Sequence, residues 1–267
     1  MSDGVKPPGR GSCVFEKYAG SLIIFGGQGF DVERGESVAL NDLWRYSIKG
    51  EKWRQIIPAS SLIPLARSGS GGVILNDTLF VFGGRFDNTT LTNELWKFSF
   101  ITYKWVLCTP ATSSDIPTPR TDVKLFIRHP ESIRNGAPVE LVIAGGLSQS
   151  GNAVSYPEII NLGPPENFHA SSLSYTSEEI VLPSDSEGRT AVHRYSNVLW
   201  TGDGILVMNG KDAELSENHC CYIDLTDLST PTLTFHPYAD FITLAIPLAG
   251  EVGLHNSAIL YGTDVYL

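Results

Sequence analysis

Two apolar runs in this chain end alike. Residues 21–27 read "SLIIFGG" and residues 78–84 read "TLFVFGG". Each is an unbroken stretch of leucine, β-branched and aromatic positions stopped by two glycines, the pattern of a strand buried on both faces. Further on, "NDLWRYSI" at 41–48 and "NELWKFSF" at 93–100 alternate apolar and polar residues, which predicts half-buried strands. The stretches "GSCVFE" and "SGGVIL" precede the two runs and are small and apolar, suited to a crowded innermost strand. "EKWRQI" and "YKWVLC" read as short outer strands. The connections "EKYAG", "LND", "IKGE" and "FITY" have hairpin length. Helical periodicity is nearly absent, and "PSDSEGR" and "GPPEN" would interrupt a helix. The chain reads as all-β.

Residues 10–53 and 67–105 can be laid over each other. An arginine (Arg10, Arg67) precedes the second glycine (Gly27, Gly84) by 17 positions. After the aromatic residue of the third strand (Tyr46, Phe98), a tryptophan follows at 7 positions (Trp53, Trp105). Fixed spacing with one variable loop is the mark of a repeated supersecondary unit. A weaker third unit holds Arg120, "VELVIAGG" with Gly145 and Gly146, "YPEIINLG" and "SLSYTSEEIVL"; it lacks the tryptophan, and "RHPESIRNGAP" lengthens its first hairpin. A fourth runs from Arg189 through "RTAVHRYSNVLW", "GILVMNG", "HCCYIDL" and "TLTFHPY". The tail "EVGLHNSAILYGTDVYL" starts the pattern again as two strands.

These residues resemble the kelch repeat: an arginine before strand one, "FGG" closing strand two, W-x-Y or W-x-F on strand three, and tryptophan on strand four. The resemblance covers residues 10–267, sharply in the first two units and loosely in the next two. The "NDLW" and "NELW" forms look like the intracellular branch of kelch proteins without BTB domains. The resemblance implies a kelch-type β-propeller, one four-stranded blade per repeat, within a single region over 1–267. Blades are expected at about 10–57, 64–109, 117–183 and 187–241, with a partial fifth at 247–267. A pattern that halts inside a strand pair at Leu267 predicts a partial or truncated ring. A lone four-stranded sheet leaves two apolar faces bare, and radial stacking buries each on the next. The glycine pairs (Gly26 with Gly27, Gly83 with Gly84, Gly145 with Gly146) and Trp53, Trp105, Tyr46 and Phe98 are therefore expected to serve the fold.

Composition narrows the function. The chain has 267 residues, 42% of them hydrophobic, enough for one large domain. With 19 basic against 29 acidic residues the formal charge is -10, and no Lys/Arg cluster stands out, so nucleic acid and anionic membrane surfaces are poor partners. The opening "MSDGVKPPGR" lacks the apolar stretch of a signal peptide, and no apolar run is long enough to span a bilayer. Cys13, Cys108, Cys220 and Cys221 have no spacing of a disulfide framework, which points to a reducing, cytoplasmic setting.

In an up-and-down blade the residues before strand one and after strand two share a face. The resemblance implies that partner proteins bind there, on the strand 2–3 and strand 4–1 loops. Arg67, Arg120 and Arg189, with Arg85, Asp87 and Asn88 of the second blade's loop, become candidate contacts for a protein partner. The competing reading has each arginine bonding backbone carbonyls or pairing with a nearby loop acid such as Asp87. No cofactor or metal is expected. Galactose oxidase-like relatives need two tyrosines, two histidines and a cross-linked cysteine, and the six histidines here form no such cluster. The loop "DAELSENH" (Asp212, Glu214, Glu217, His219) lacks a convincing iron-ligand spacing, and on a strand Cys220 and Cys221 point to opposite faces. The expected function is a non-catalytic interaction scaffold. The second possibility is an enzyme, or an accessory propeller joined to a catalytic domain.

Overall fold

The computed structural model describes residues 5–87, 89–133, 135–154, 156–183, 197–208, 219–237, 259–261 and 264–266. The strands form consecutive antiparallel meanders. The first blade pairs Val14–Tyr18, Ser21–Asp31, Glu36–Ser47 and Lys52–Ile56 in chain order. The second is Gly71–Leu75, Thr78–Phe82, Leu95–Ser99 and Lys104–Pro110. The third is Lys124–Arg128, Glu140–Ala144, Glu158–Asn161 and Ser174–Glu179. The fourth is Asn197–Trp200, Gly204–Met208, His219–Asp224 and Thr232–Pro237. A last hairpin pairs Ile259–Tyr261 with Asp264–Tyr266. Among the described residues this is an all-β propeller architecture of four four-stranded blades and one further hairpin. The stretch 130–133, inside the lengthened hairpin, forms one helical turn.

In the second and third blades the apolar runs are buried on both faces because each of these blades lies between two others. Leu79 and Val81 pack toward the first blade with Ile23, Phe25 and Leu43. Phe80 and Phe82, on the opposite face of the same strand, join Leu125, Leu141 and Ile143 of the third blade. Leu141 and Ile143 face back, while Val142 and Ala144 face forward onto Ile205, Val207 and Cys221 of the fourth blade. The core is thus a series of inter-blade layers.

Two features depart from the sequence reading. "NELWKFSF" alternates polar with apolar, yet Lys97 is buried like its neighbours. Its ammonium crosses into the third blade and donates to the carbonyls of Phe168 (2.8 Å) and Ala170 (2.9 Å). Burial pushes its pKa below the ordinary lysine value. The second and third blades are also joined edge to edge. Lys104–Pro110 is longer than its counterpart Lys52–Ile56, and its end runs parallel to Ser174–Tyr175. Thr109 N–H donates to Leu173 O (2.9 Å) and Ala111 N–H to Tyr175 O (2.7 Å).

Candidate functional site

The loops expected to bind a partner rest on one repeated strut. In each of the first three blades the arginine before strand one folds its guanidinium inward. Arg10 donates to Gly26 O (3.1 Å) and forms a bidentate pair with Asp42. Arg67 reaches Gly83 O (3.4 Å) and Glu94 (2.6 Å). Arg120 reaches Gly145 O (3.2 Å) and pairs with Glu158. The acid is the residue before the apolar pair of strand three, the "D" of "NDLW", the "E" of "NELW" and the "E" of "PEII". In two blades the tryptophan two residues on bonds the same carboxylate: Trp44 Nε1 to Asp42 (2.6 Å) and Trp96 Nε1 to Glu94 (2.9 Å). The asparagine before the acid ties down the incoming loop, Asn41 to Pro64 O (3.3 Å) and Asn93 to Pro117 O (3.0 Å). The repeated "N-acid-L-W" string shows that an acid enters an apolar strand and needs a partner, but it does not say which cation supplies it.

The arginine's backbone completes the device. Gly27 N–H donates to Arg67 O, and Gly84 N–H to Arg120 O, each at 2.9 Å. Thus the glycine pairs of the first two blades each receive the arginine of the blade that follows. Both glycines of each pair have positive φ, near 62–67° at the first and 94–97° at the second. A Cβ on Gly83 would stand 2.7 Å from Arg120 O. The glycines permit this backbone contact.

Arg67 and Arg120 therefore do not present charge to a partner: they are 1% and 0% exposed. Their pairing acids are Glu94 and Glu158, at the start of strand three, and not Asp87. Burial lowers the pKa of both guanidiniums, opposed by those carboxylates. For Asp42, burial raises the carboxyl, but hydrogen bonds from Arg10 and Trp44 outweigh it and leave it below the usual range.

Asp87 is exposed at the tip of a small hairpin, Arg85–Phe86 with Thr90–Leu91. Its carboxylate accepts from Thr89 N–H (2.8 Å), Thr90 N–H (3.1 Å) and Thr89 Oγ1 (3.0 Å), and these bonds hold its pKa down. Arg85 is half-buried, with Nε sealed and without a hydrogen-bond partner. Gln149 of the third blade's loop bonds Leu91 N–H (3.1 Å) and Thr89 O, knitting the two loops together. Arg189, Asn88 and the loop carrying Asp212, Glu214 and Glu217 lie outside the described residues. Among the described residues no group of three or more His, Cys, Asp or Glu could hold a metal ion. Among them, too, no helix is long and apolar enough to cross a membrane.

The aromatic pairs diverge. Trp105 is 3% exposed and packs on Phe25 of the first blade and on Phe98. Trp53, its counterpart, is half-buried and meets Tyr46 with ring centroids 5.0 Å apart.

The first blade's 2–3 loop reads as a polar loop at 28–40. In the structure it is a β-hairpin arm. Strand two continues through a bulge at the glycine pair to Asp31, and Glu36 begins strand three. Arg10–Gly11 adds a short third strand beside Gln28–Gly29. Phe30 and Val32 are 58% and 83% exposed on it.

Comparison with known proteins agrees with this geometry. Residues 1–136 match the family model described as the KLHDC2/KLHL20/DRC7 Kelch-repeats domain. Kelch domain-containing protein 3 of Bos taurus is 31% identical over 105 residues, covering 37% of this chain and 27% of that protein. Kelch domain-containing protein 1 of Homo sapiens is 30% identical over 128 residues, 43% of this chain and 30% of that protein. Kelch domain-containing protein 10 of Homo sapiens is 24% identical over 217 residues, 80% of this chain and 44% of that protein. The matched regions thus span less than half the length of these relatives. With arginine struts, glycine-pair bends and four-stranded blades in register, and with half the chain matched by the family model, the chain belongs to the kelch-repeat family.

Proposed function

We propose that this chain is a non-catalytic protein-interaction scaffold that binds its partner through the face formed by the strand 2–3 and strand 4–1 loops. Kelch-repeat domains generally act as protein-interaction scaffolds. The observation that carries the choice of face is how its residues divide. The charged groups shared by the repeats are turned inward as struts, whereas the residues that differ between blades stand outward: Phe30, Val32, Leu62, Leu65 and Asp87. Rigid loops carrying unlike side chains are suited to recognition. The cytoplasmic setting belongs to the same reading and rests on cysteine spacing that has no disulfide framework.

The test compares two surface variants in affinity capture from cells. One changes the proposed face, Asp87→Lys with Leu65→Asp. The other changes the opposite face, Lys17→Glu with Ile101→Asp. A partner held by the parent should be lost by the first and kept by the second. Loss with the second variant alone would overturn the choice of face.

A further inference from the structure

The hairpin arm of the first blade has an open edge. Its strand Glu36–Ser47 is paired on one side by Ser21–Asp31 along its whole length. On the other side only Leu43–Ser47 is paired, by Lys52–Ile56. Among the described residues, Glu36–Ala39 has no strand on that outer side. Proteins commonly blunt such edges with lysine, proline or a bulge. Ser37, Val38 and Ala39 supply neither lysine nor proline, and the register from Gly27↔Leu40 to Asp31↔Glu36 runs without a bulge.

An apolar shelf lies beside the root of this edge. The 4–1 loop that follows the first blade is held there by Arg67 N–H to Leu40 O (2.9 Å) and by Asn41 Nδ2 to Pro64 O (3.3 Å). It carries Leu62 and Leu65, 61% and 62% exposed, with Ile63 between them. The other end of the edge is acidic. Asp31, Glu33 and Glu36 face a single Arg34, three negative charges against one positive. Arg34 sits 3.6 Å from Asp31 and 3.8 Å from Glu36, leaving Glu33 outside these pairs.

We infer that Glu36–Ala39 is a strand-addition site for an extended basic and apolar segment of a partner protein. The segment's backbone continues the arm's sheet, its apolar side chains rest on Leu62 and Leu65, and its Lys or Arg residues meet the acidic tip. Main-chain bonds would provide affinity and alternate side chains specificity, as in other edge-binding systems. This inference rests on the reading that the loop face binds protein.

The probe is a synthetic ten-residue peptide alternating valine or leucine with lysine, carrying one photoreactive benzoylphenylalanine. Its control has glutamate for every lysine. Binding is read by fluorescence anisotropy and the attachment point by cross-linking and mass spectrometry. The lysine peptide should bind and the glutamate peptide should not, with affinity falling as salt rises. Cross-links should fall on residues 31–39 and 62–65. Replacing residues 29–38 by Asn-Gly should weaken binding by roughly tenfold or more. The milder Glu33→Lys with Glu36→Lys, which leaves the backbone intact, should reverse the peptide preference. Cross-links on the hairpin of residues 85–91, or full binding by the trimmed protein, would overturn the strand-addition site and leave the face reading standing. Cross-links confined to the opposite face would overturn both. Failure of the lysine peptide to bind, or dimers of the parent that the trimmed protein does not form, would show that the edge does not serve such a segment.

Discussion

At the scale of residues, the most informative side chain is the one that left the surface. Arg67 bonds Gly83 O, Leu65 O and Glu94, so it holds a bend, a loop and a strand together. Arg67→Ala is expected to destabilise by about 2–4 kcal/mol, since it strands buried acceptors and a partly buried carboxylate. Urea denaturation checks this, and an unchanged midpoint would mean that the strut contributes nothing. A second residue sets a pH dependence. Glu16, on the innermost strand of the first blade, is pushed up to about 7 by burial, partly offset by Lys124. Unfolded, the same carboxyl titrates near ~4.3. Between these values the folded state holds a proton that the unfolded state has lost, so stability falls as pH rises through the window and does not recover above it. Glu16→Gln should remove this slope and raise stability at pH 8 by about 1–2 kcal/mol, after allowance for its partial exposure. Thermal melts at pH 5 and pH 8 decide the matter, and an unaltered difference between them would refute it.

At the scale of elements, identical motifs acquire different weights from what covers them. The glycine-pair bend is required by contact as well as by conformation. A Cβ on Gly84 would press on Ser70 Oγ and lie 2.9 Å from Ser68 O, at a φ of 97°. Gly35, in the arm's turn, has a φ of 68° but open space around it. Gly84→Ala should therefore cost about 2–4 kcal/mol and Gly35→Ala about 1 kcal/mol. Equal losses on denaturation would show that conformation alone matters. The tryptophans of strand four follow the same logic. Trp105→Ala should cost about 3–5 kcal/mol, as for a buried aromatic, and Trp53→Ala about 1–2 kcal/mol. Spacing shows that these residues are equivalent, but it carries no measure of their burial. Likewise, "QGFDVERGESVAL" has the composition of a polar loop, and its hairpin is stabilised by Arg10–Gly11 from a distant part of the sequence.

At the scale of the molecule, blades stack face to face, and the second and third also share hydrogen bonds through their outer strands. That junction should couple their opening. Thr109→Pro removes the N–H that bonds Leu173 O. Hydrogen exchange at Ser174–Glu179 should quicken in this variant while Lys52–Ile56 keeps its parent rate. Acceleration spread evenly over all blades would argue against a local link. The outward face combines the arm, the small hairpin tipped by Asp87 and the shelf of Leu62 and Leu65, all mounted on one set of inward struts.

The sequence by itself determined the all-β class, the repeated four-stranded unit, the order of its strands and the two-sided burial of "TLFVF". These follow from local periodicity and from spacing that repeats, both of which survive in a linear string. Two things were decided by tertiary structure alone. The first is the direction in which Arg67 and Arg120 point: a guanidinium before a strand can face a partner or a carbonyl, and only the packed neighbour supplying Glu94 or Glu158 settles it. The second is where the sheet stays open. Whether Glu36–Ala39 is an edge depends on what lies beside it, and that is set by where the next strand, Lys52–Ile56, stops pairing at Leu43.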